Sequence, residues 1–375
     1  MRQPAHGGNL AWAAALAGCP PDAILDFSAS ISPLGPPNSA IAAIQSQIGN
    51  LKHYPDPNYS ELRLALSHFH QLPPELILPG NGSAELLTLI GRELSQLAAT
   101  TLITPAFGDY YRTLAGYNAK VLECPLSLVT CTERSRSIDH WSLVLSEAVG
   151  AASRREVLVI DKGQKTKDKG LLLNNPHNPT GKLFSRDSIL PYLEQFALVV
   201  VDEAFMDFVP PNEEQSLIPV VQEHPNLVVL RSLTKFYSLP GLRLGYAIAH
   251  PDCLAKWQLW RDPWPVNTLA AAAAIAALQD TEFQQQTWAW LPPARNQLFQ
   301  GLAEIPGLQP QASAANFLLV ESQESTSQLQ QKLLKHHQIL IRDCLSFKEL
   351  GDRFFRVAVR SQSDNQRLLT ALKES

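Results

Sequence analysis

Between about residue 38 and residue 250, short apolar runs recur, and each gives way to turn-forming residues and then to a helical pattern. The clearest run is Leu198-Val199-Val200-Val201, which ends in Asp202-Glu203. An unbroken β-branched run of this kind suits a strand covered on both faces, as in a parallel sheet, and not the alternating pattern of a half-solvated strand. Comparable runs are Thr101-Leu102-Ile103-Thr104, Glu156 to Ile160, Leu227 to Leu230 and Gly245-Tyr246-Ala247-Ile248-Ala249. Strands alternating with helices predict an α/β fold with a mostly parallel central sheet covered by helices. In a chain of 375 residues this leaves room for an N-terminal arm over 1–37, marked by Pro33, Pro36 and Pro37. A large domain over 38–250 and a smaller C-terminal α+β domain over 251–375 complete the expected organisation.

Composition narrows the function classes. A hydrophobic share of 45% and a charged share of 18% describe an ordinary globular chain. The net charge of -4, with no basic stripe and no zinc-finger spacing, argues against nucleic acid. His68, His70, His336 and His337 lack partners at ligand spacing, which argues against a metal site. The 5 cysteines are scattered, without a C-x-x-C pair, as in a cytoplasmic protein with reduced thiols. Leu10 to Cys19 superficially resembles a lipoprotein leader, but His6, Asn9 and the following Pro20-Pro21 favour an amphipathic first helix. The Ala-rich run from Leu269 to Leu278 is too short to span a bilayer and is expected to be a buried helix, so no membrane is expected.

Chemistry concentrates at four places. Ser232-Leu233-Thr234-Lys235, with Arg243 shortly after, follows an apolar strand. A lone amine among hydroxyls with a guanidinium near suits a lysine that forms a Schiff base beside a phosphate ester, although a surface loop carries similar residues. Asp202, at a strand end, can pair with a protonated ring nitrogen or simply cap the next helix. Asn174-Asn175-Pro176-His177-Asn178-Pro179-Thr180-Gly181 spells a turn in which Asn178 can offer its amide to a phenolate oxygen. Gly80-Asn81-Gly82-Ser83-Ala84 opens a helical pattern, so free backbone N–H groups there form an anion cup. The spacing is neither G-x-G-x-x-G nor a Walker A sequence, so neither a dinucleotide nor an ATP site is indicated.

Taken in order, Gly82-Ser83-Ala84, Asn178-Pro179-Thr180-Gly181, Asp202-Glu203-Ala204, Ser232-Leu233-Thr234-Lys235 and Arg243 resemble the fold-type I pyridoxal-phosphate enzymes. Within them, the chain resembles the histidinol-phosphate aminotransferase branch over nearly its whole length. His6-Gly7-Gly8-Asn9, Leu25-Asp26-Phe27-Ser28-Ala29, Pro33-Leu34-Gly35, Phe205-Met206-Asp207-Phe208 and Phe355-Arg356-Val357-Ala358-Val359-Arg360 are similar to the L-threonine-O-3-phosphate decarboxylases of cobalamin biosynthesis.

The resemblance implies a set of roles. Lys235 is the residue that carries pyridoxal 5'-phosphate and moves protons at Cα. Asp202 holds the pyridine nitrogen, Asn178 bonds the ring oxygen and Phe107 stacks on the ring, unless it is simply core. Gly82, Ser83, Ala84, Ser232, Thr234 and Arg243 hold the cofactor phosphate, joined by Tyr59 from across the interface of a homodimer with shared sites. Arg356 clamps the substrate carboxylate, while Arg342, His6 and Asn9 take the phosphate of a small phosphorylated amino acid. Phe205 stands where aminotransferases of this branch carry a tyrosine, and Ser30 and Ser32 stand where relatives carry asparagines. The polar stretches Cys131 to Asp139 and Lys162 to Lys169 interrupt the usual spacing and carry no assigned function. The implied activity is decarboxylation of O-phospho-L-threonine, with histidinol-phosphate transamination as the alternative. A cofactor-binding regulator on the same fold is disfavoured, since no DNA-binding domain fits before residue 37.

Overall fold

The computed structural model describes residues 7–126 and 167–375. His6, the strand expected at Glu156 to Ile160, the stretch Cys131 to Asp139 and most of the stretch from Lys162 lie outside the described residues. The chain opens with α1 (Leu10–Ala17), β1 (Leu25–Asp26), α2 (Asn38–Gln47) and α3 (Ser60–His70). β2 (Ile77–Asn81) leads into α4 (Gly82–Leu94), and β3 (Ala99–Thr104) into α5 (Gly108–Gly116) and β4 (Val121–Pro125). Next come β5 (Lys169–Asn174), α6 (Arg186–Leu193), β6 (Leu198–Asp202), β7 (Leu227–Ser232) and β8 (Leu244–Ala249). The remainder comprises α7 (Pro251–Gln258), α8 (Thr268–Gln279), α9 (Thr281–Ala303), β9 (Leu308–Pro310), β10 (Phe317–Ser322) and α10 (Thr326–His337). It ends with β11 (Ile339–Leu340), β12 (Arg342–Asp343), β13 (Phe354–Ala358) and α11 (Gln362–Glu374).

The central sheet has 7 strands in the order β2-β8-β7-β6-β5-β3-β4. The neighbours from β7 through β4 run parallel, while β8 is antiparallel to both β7 and β2. Strand alternation sorts the apolar runs cleanly. Val199, Val201, Leu227 and Val229 enter one core, while Leu198, Val200, Val228 and Leu230 enter the other. Burial on both faces is why these runs show no polar alternation. Each such side chain contributes about 1.5–3 kcal/mol on burial, so Val200→Asp at the sheet centre would be enough to break the layer.

Leu78-Pro79-Gly80-Asn81, ahead of the glycine-rich helix start, forms β2 and pairs antiparallel with β8. Proline is tolerated there because β2 is an edge strand. The arm packs against the C-terminal segment. β1 pairs parallel with β11, Leu25 opposite Ile339, and Ala13 and Ala14 of α1 pack against Leu334 and Leu340. A second sheet has 4 strands in the order β12-β13-β10-β9, and its Arg342 and Arg356 line a cavity together with residues at the large sheet's strand ends. Among the described residues, no helix is long and apolar enough to cross a membrane.

Candidate active site

The C-terminal ends of β5, β6 and β7 open into a cavity of about 250 Å³, and residues from the arm and from β12 and β13 close its other side. Ser83, Ala84, Phe107, Asn178, Asp202, Ser232, Thr234, Lys235, Arg243, Arg342 and Arg356 all line it. Residues spread from the arm to the last strand therefore share one site.

One end of the cavity is a cradle built by close approach of backbone. α4 begins at Gly82, whose φ of +70° favours glycine, and a Cβ there would lie 2.7 Å from Arg243 Nη2. On the neighbouring strand, a Cβ on Gly245 would sit 2.7 Å from the Ser83 nitrogen. The two glycines thus let the first turn of α4 sit against β8 with the Arg243 guanidinium beside it. Arg243 itself has φ 57° and donates from Nη1 to the Pro240 carbonyl at 3.0 Å. Ser232 and Thr234 add buried hydroxyls that bond each other at 2.8 Å. Helix N–H groups, two hydroxyls and a guanidinium suit a phosphate.

Asp202 lies at the floor, where strand alternation turns it into the cavity. Its neighbour Glu203 turns the other way and pairs with Arg231 at 3.0 Å, and Asp207 and Glu214 bind the same buried guanidinium. That cluster anchors the ends of β6 and β7 from behind. Burial raises the Asp202 pKa, while the Tyr110 hydroxyl, the Ala204 N–H and the charge of Lys235 pull it back. Tyr110 Oη donates to Asp202 Oδ2 at 2.7 Å and Ala204 N donates to Oδ1 at 3.0 Å. The acid is therefore held on both oxygens, and it does not cap a helix.

Lys235 sits on the turn after β7. Its carbonyl accepts from Ser32 N at 3.0 Å, and Ser238 Oγ donates back to the Ser32 carbonyl at 2.7 Å. The arm thus fixes the lysine's backbone. Burial, with Arg356 and Arg243 adding repulsion against the pull of Asp202, brings the Lys235 amine down to about 8. Such an amine is far more often neutral and nucleophilic near neutral pH than an ordinary lysine.

The opposite wall carries Arg342 and Arg356, which stand opposite each other in the β12–β13 register. Arg356 donates from Nη1 to Asn178 Oδ1 and from Nη2 to the Ser28 carbonyl at 3.3 Å, and it lies over the Phe317 ring at 4.9 Å. Its Nε is buried without a hydrogen-bond partner among the described residues. Burial, with repulsion from Arg342, brings its pKa down to about 10. Arg342 donates from Nη2 to Ser346 Oγ at 2.7 Å. Phe205 stacks edge-on against Phe317, with ring centroids 5.0 Å apart, and offers no hydroxyl to the cavity.

The remaining expected residues sort as follows. Tyr59 is buried, and its hydroxyl bonds within its own chain, donating to the Val266 carbonyl at 3.1 Å and accepting from Val266 N at 3.0 Å. It does not line the cavity of its own chain. Asn9 caps α1 by accepting from Trp12 N at 3.0 Å, and it lines a small hollow shared with Arg342. Ser30 lines the cavity with a buried hydroxyl that has no hydrogen-bond partner among the described residues, whereas the Ser32 backbone braces the Lys235 turn. Tyr110, Ser346 and Phe347 line the site without having been anticipated. Tyr110 was within reach, because it follows Phe107 by one helical turn. Nothing local marks Ser346 or Phe347.

Residues 22–372 match the family described as Aminotransferase class I and II. The chain is 38% identical to a threonine-phosphate decarboxylase of Salmonella typhimurium, covering 98% of this chain and 96% of that one. It is 33% identical to a histidinol-phosphate aminotransferase of Roseiflexus castenholzii, covering 95% and 91%. Its fold matches the histidinol-phosphate aminotransferase of Sinorhizobium meliloti solved with pyridoxal-5'-phosphate, at a TM-score of 0.79 and 22% identity. That match covers 98% of this chain and 94% of the other.

Proposed function

The chain belongs to the class I and II aminotransferase family, and from that premise we propose that it binds pyridoxal 5'-phosphate and decarboxylates O-phospho-L-threonine. The products are (R)-1-amino-2-propanol O-phosphate, a compound of cobalamin biosynthesis, and CO2. The observation that carries this reading is the second pair of cations. Beyond Arg243, the cavity holds Arg342 and Arg356, and the hydrogen-bond partners of Arg356 are the neutral oxygens of Asn178 and Ser28. Two guanidiniums away from the phosphate cradle suit a substrate with two anionic groups, a carboxylate and a phosphate. Histidinol phosphate has no carboxylate and would leave the buried Arg356 facing only those neutral oxygens.

The residues fit the cofactor. A cradle that a Cβ at Gly82 would fill, a buried acid and a buried amine of lowered pKa are the donor set it needs. The amides of Gly82, Ser83 and Ala84, with Ser232, Thr234 and Arg243, would hold its phosphate. Asp202 would face the ring nitrogen, Asn178 the ring oxygen, Phe107 the ring face and Lys235 the aldehyde. When bound, the cofactor's protonated ring takes up the electron pair released at Cα.

The chain's part is orientation and proton delivery. Arg356 grips the substrate carboxylate, and Arg342, with Asn9 and His6, grips the phosphate. Two fixed points would hold the Cα–carboxylate bond in a single orientation for cleavage. CO2 leaves, and Lys235 delivers the proton that Cα takes up in its place. A homodimer with shared sites belongs to the same reading. Supporting it are the exposed Ile48 and Leu51 and the exposed Tyr54, which packs tilted against Trp264 with ring centroids 4.5 Å apart. A cytoplasmic location accords with the free thiols of Cys19, Cys124, Cys253 and Cys344.

The test uses O-phospho-L-threonine labelled at its carboxyl carbon. Labelled CO2 formed in step with the amine phosphate is expected. Amino transfer from histidinol phosphate to an oxo acid, with no CO2 from phosphothreonine, would overturn the assignment.

A further inference from the structure

Tyr110 is buried, and it makes two directed contacts with residues that face the cofactor. Its hydroxyl donates to Asp202 Oδ2 at 2.7 Å, and its ring meets the ring of Phe107 edge-on with centroids 5.6 Å apart. The position is set by the start of α5, where Tyr110 N donates to the Phe107 carbonyl at 3.0 Å. Asp109 in the first turn favours the helix dipole and pairs with Arg112 at 2.7 Å. One side chain therefore ties the group over the ring face to the group at the ring edge.

We propose that Tyr110 is a positioning residue that acts through Asp202, aiming its ionised carboxylate at the ring nitrogen while bracing Phe107 over the ring. The inference rests on the reading in which Asp202 faces that nitrogen. Asp202 is taken out of water, and its other oxygen accepts from the Ala204 backbone. A buried carboxylate with a donor removed either takes a proton or turns toward another donor. Burial and the Asp202 charge hold the Tyr110 phenol well above its ordinary pKa, so it stays a donor throughout the working range. A phenylalanine there keeps the edge-on packing and loses only the donor.

The experiment loads the enzyme with pyridoxal phosphate labelled with 15N in the ring. It compares wild type, Tyr110→Phe, Asp202→Asn and the double variant by pyridine 15N shift and by cofactor affinity. In Tyr110→Phe the signal is expected to move toward the unprotonated position, and affinity to fall about tenfold or more, as for loss of a hydrogen bond to a charged group. In the Asp202→Asn background the same change should add nothing, a result that a merely structural role would not give. A Tyr110→Phe signal and affinity equal to wild type, beside a shifted Asp202→Asn signal, would overturn the role of Tyr110 alone. So would an equal cost in both backgrounds. An Asp202→Asn signal unchanged from wild type would take Asp202 away from the ring and overturn both assignments.

Discussion

The two ends of the cavity are built by different means. The cradle end comes from successive strand ends and one helix start, so each group sits beside its neighbour in sequence or in sheet register. Asp202 lies beside Leu230 across β6 and β7, and Ser232 beside Gly245 across β7 and β8. The arginine end is assembled from distant segments, since Arg356 meets Ser28 across 328 positions and Asn178 across 178. At that end Asp202 has donors on both oxygens, and carboxylates neutralise Arg231 behind the strand ends. The arginine end keeps like charges together and leaves Arg356 Nε unbonded among the described residues. A region satisfied by its own groups reads as a fixed seat, and one left with excess cation reads as a place for a transient anion.

Substitutions can break or sharpen that contrast. Lys235→Ala removes the amine at the meeting point of both ends, and turnover should fall by roughly 10³-fold or more, given that positioned proton transfer alone supplies 10²–10⁴; steady-state kinetics will show it. Arg356→Gln should lower kcat/KM by roughly 10²-fold or more, in line with loss of a buried charge partner, and leave the absorbance of bound cofactor as in wild type. A changed cofactor spectrum would mean that the two ends are not separable.

Acidity gives a smaller effect. Lys235 is brought down to about 8, so its neutral fraction grows as pH rises to that value and levels off above it. Cofactor capture by the empty enzyme, followed by stopped-flow absorbance, should slow about tenfold for each pH unit below 8 and plateau above. A plateau reached only near the pKa of an ordinary lysine would remove the burial and the two arginines as the cause. Least of all, Tyr59→Phe should cost about 1 kcal/mol of stability, the net worth of an ordinary hydrogen bond. Its denaturant midpoint should drop slightly, because the hydroxyl bonds both backbone groups of Val266.

The same contrast explains what could be read from the chain alone. The apolar runs at Leu198, Leu227 and Gly245 announce central strands because burial on both faces forbids polar alternation. Asp202, Ser232, Lys235 and Gly82 were legible because each sits at the end of such a run or the start of a helix. The proline and asparagine before Tyr59 signal a turn without saying which way the next aromatic points. It points inward to Val266. Tyr110 escaped notice because its partner is 92 positions away. Ser346 and Phe347 enter the cavity only through the pairing of β12 with β13. Contacts that exist only after the arm and the last strands close on the sheet leave no local signature.

The most direct measurement is borohydride reduction of the purified protein mixed with pyridoxal phosphate, followed by peptide mapping. A phosphopyridoxyl mass on the peptide that contains Lys235, with loss of the visible band, is the expected result. A label spread over surface lysines, or none retained, would contradict it.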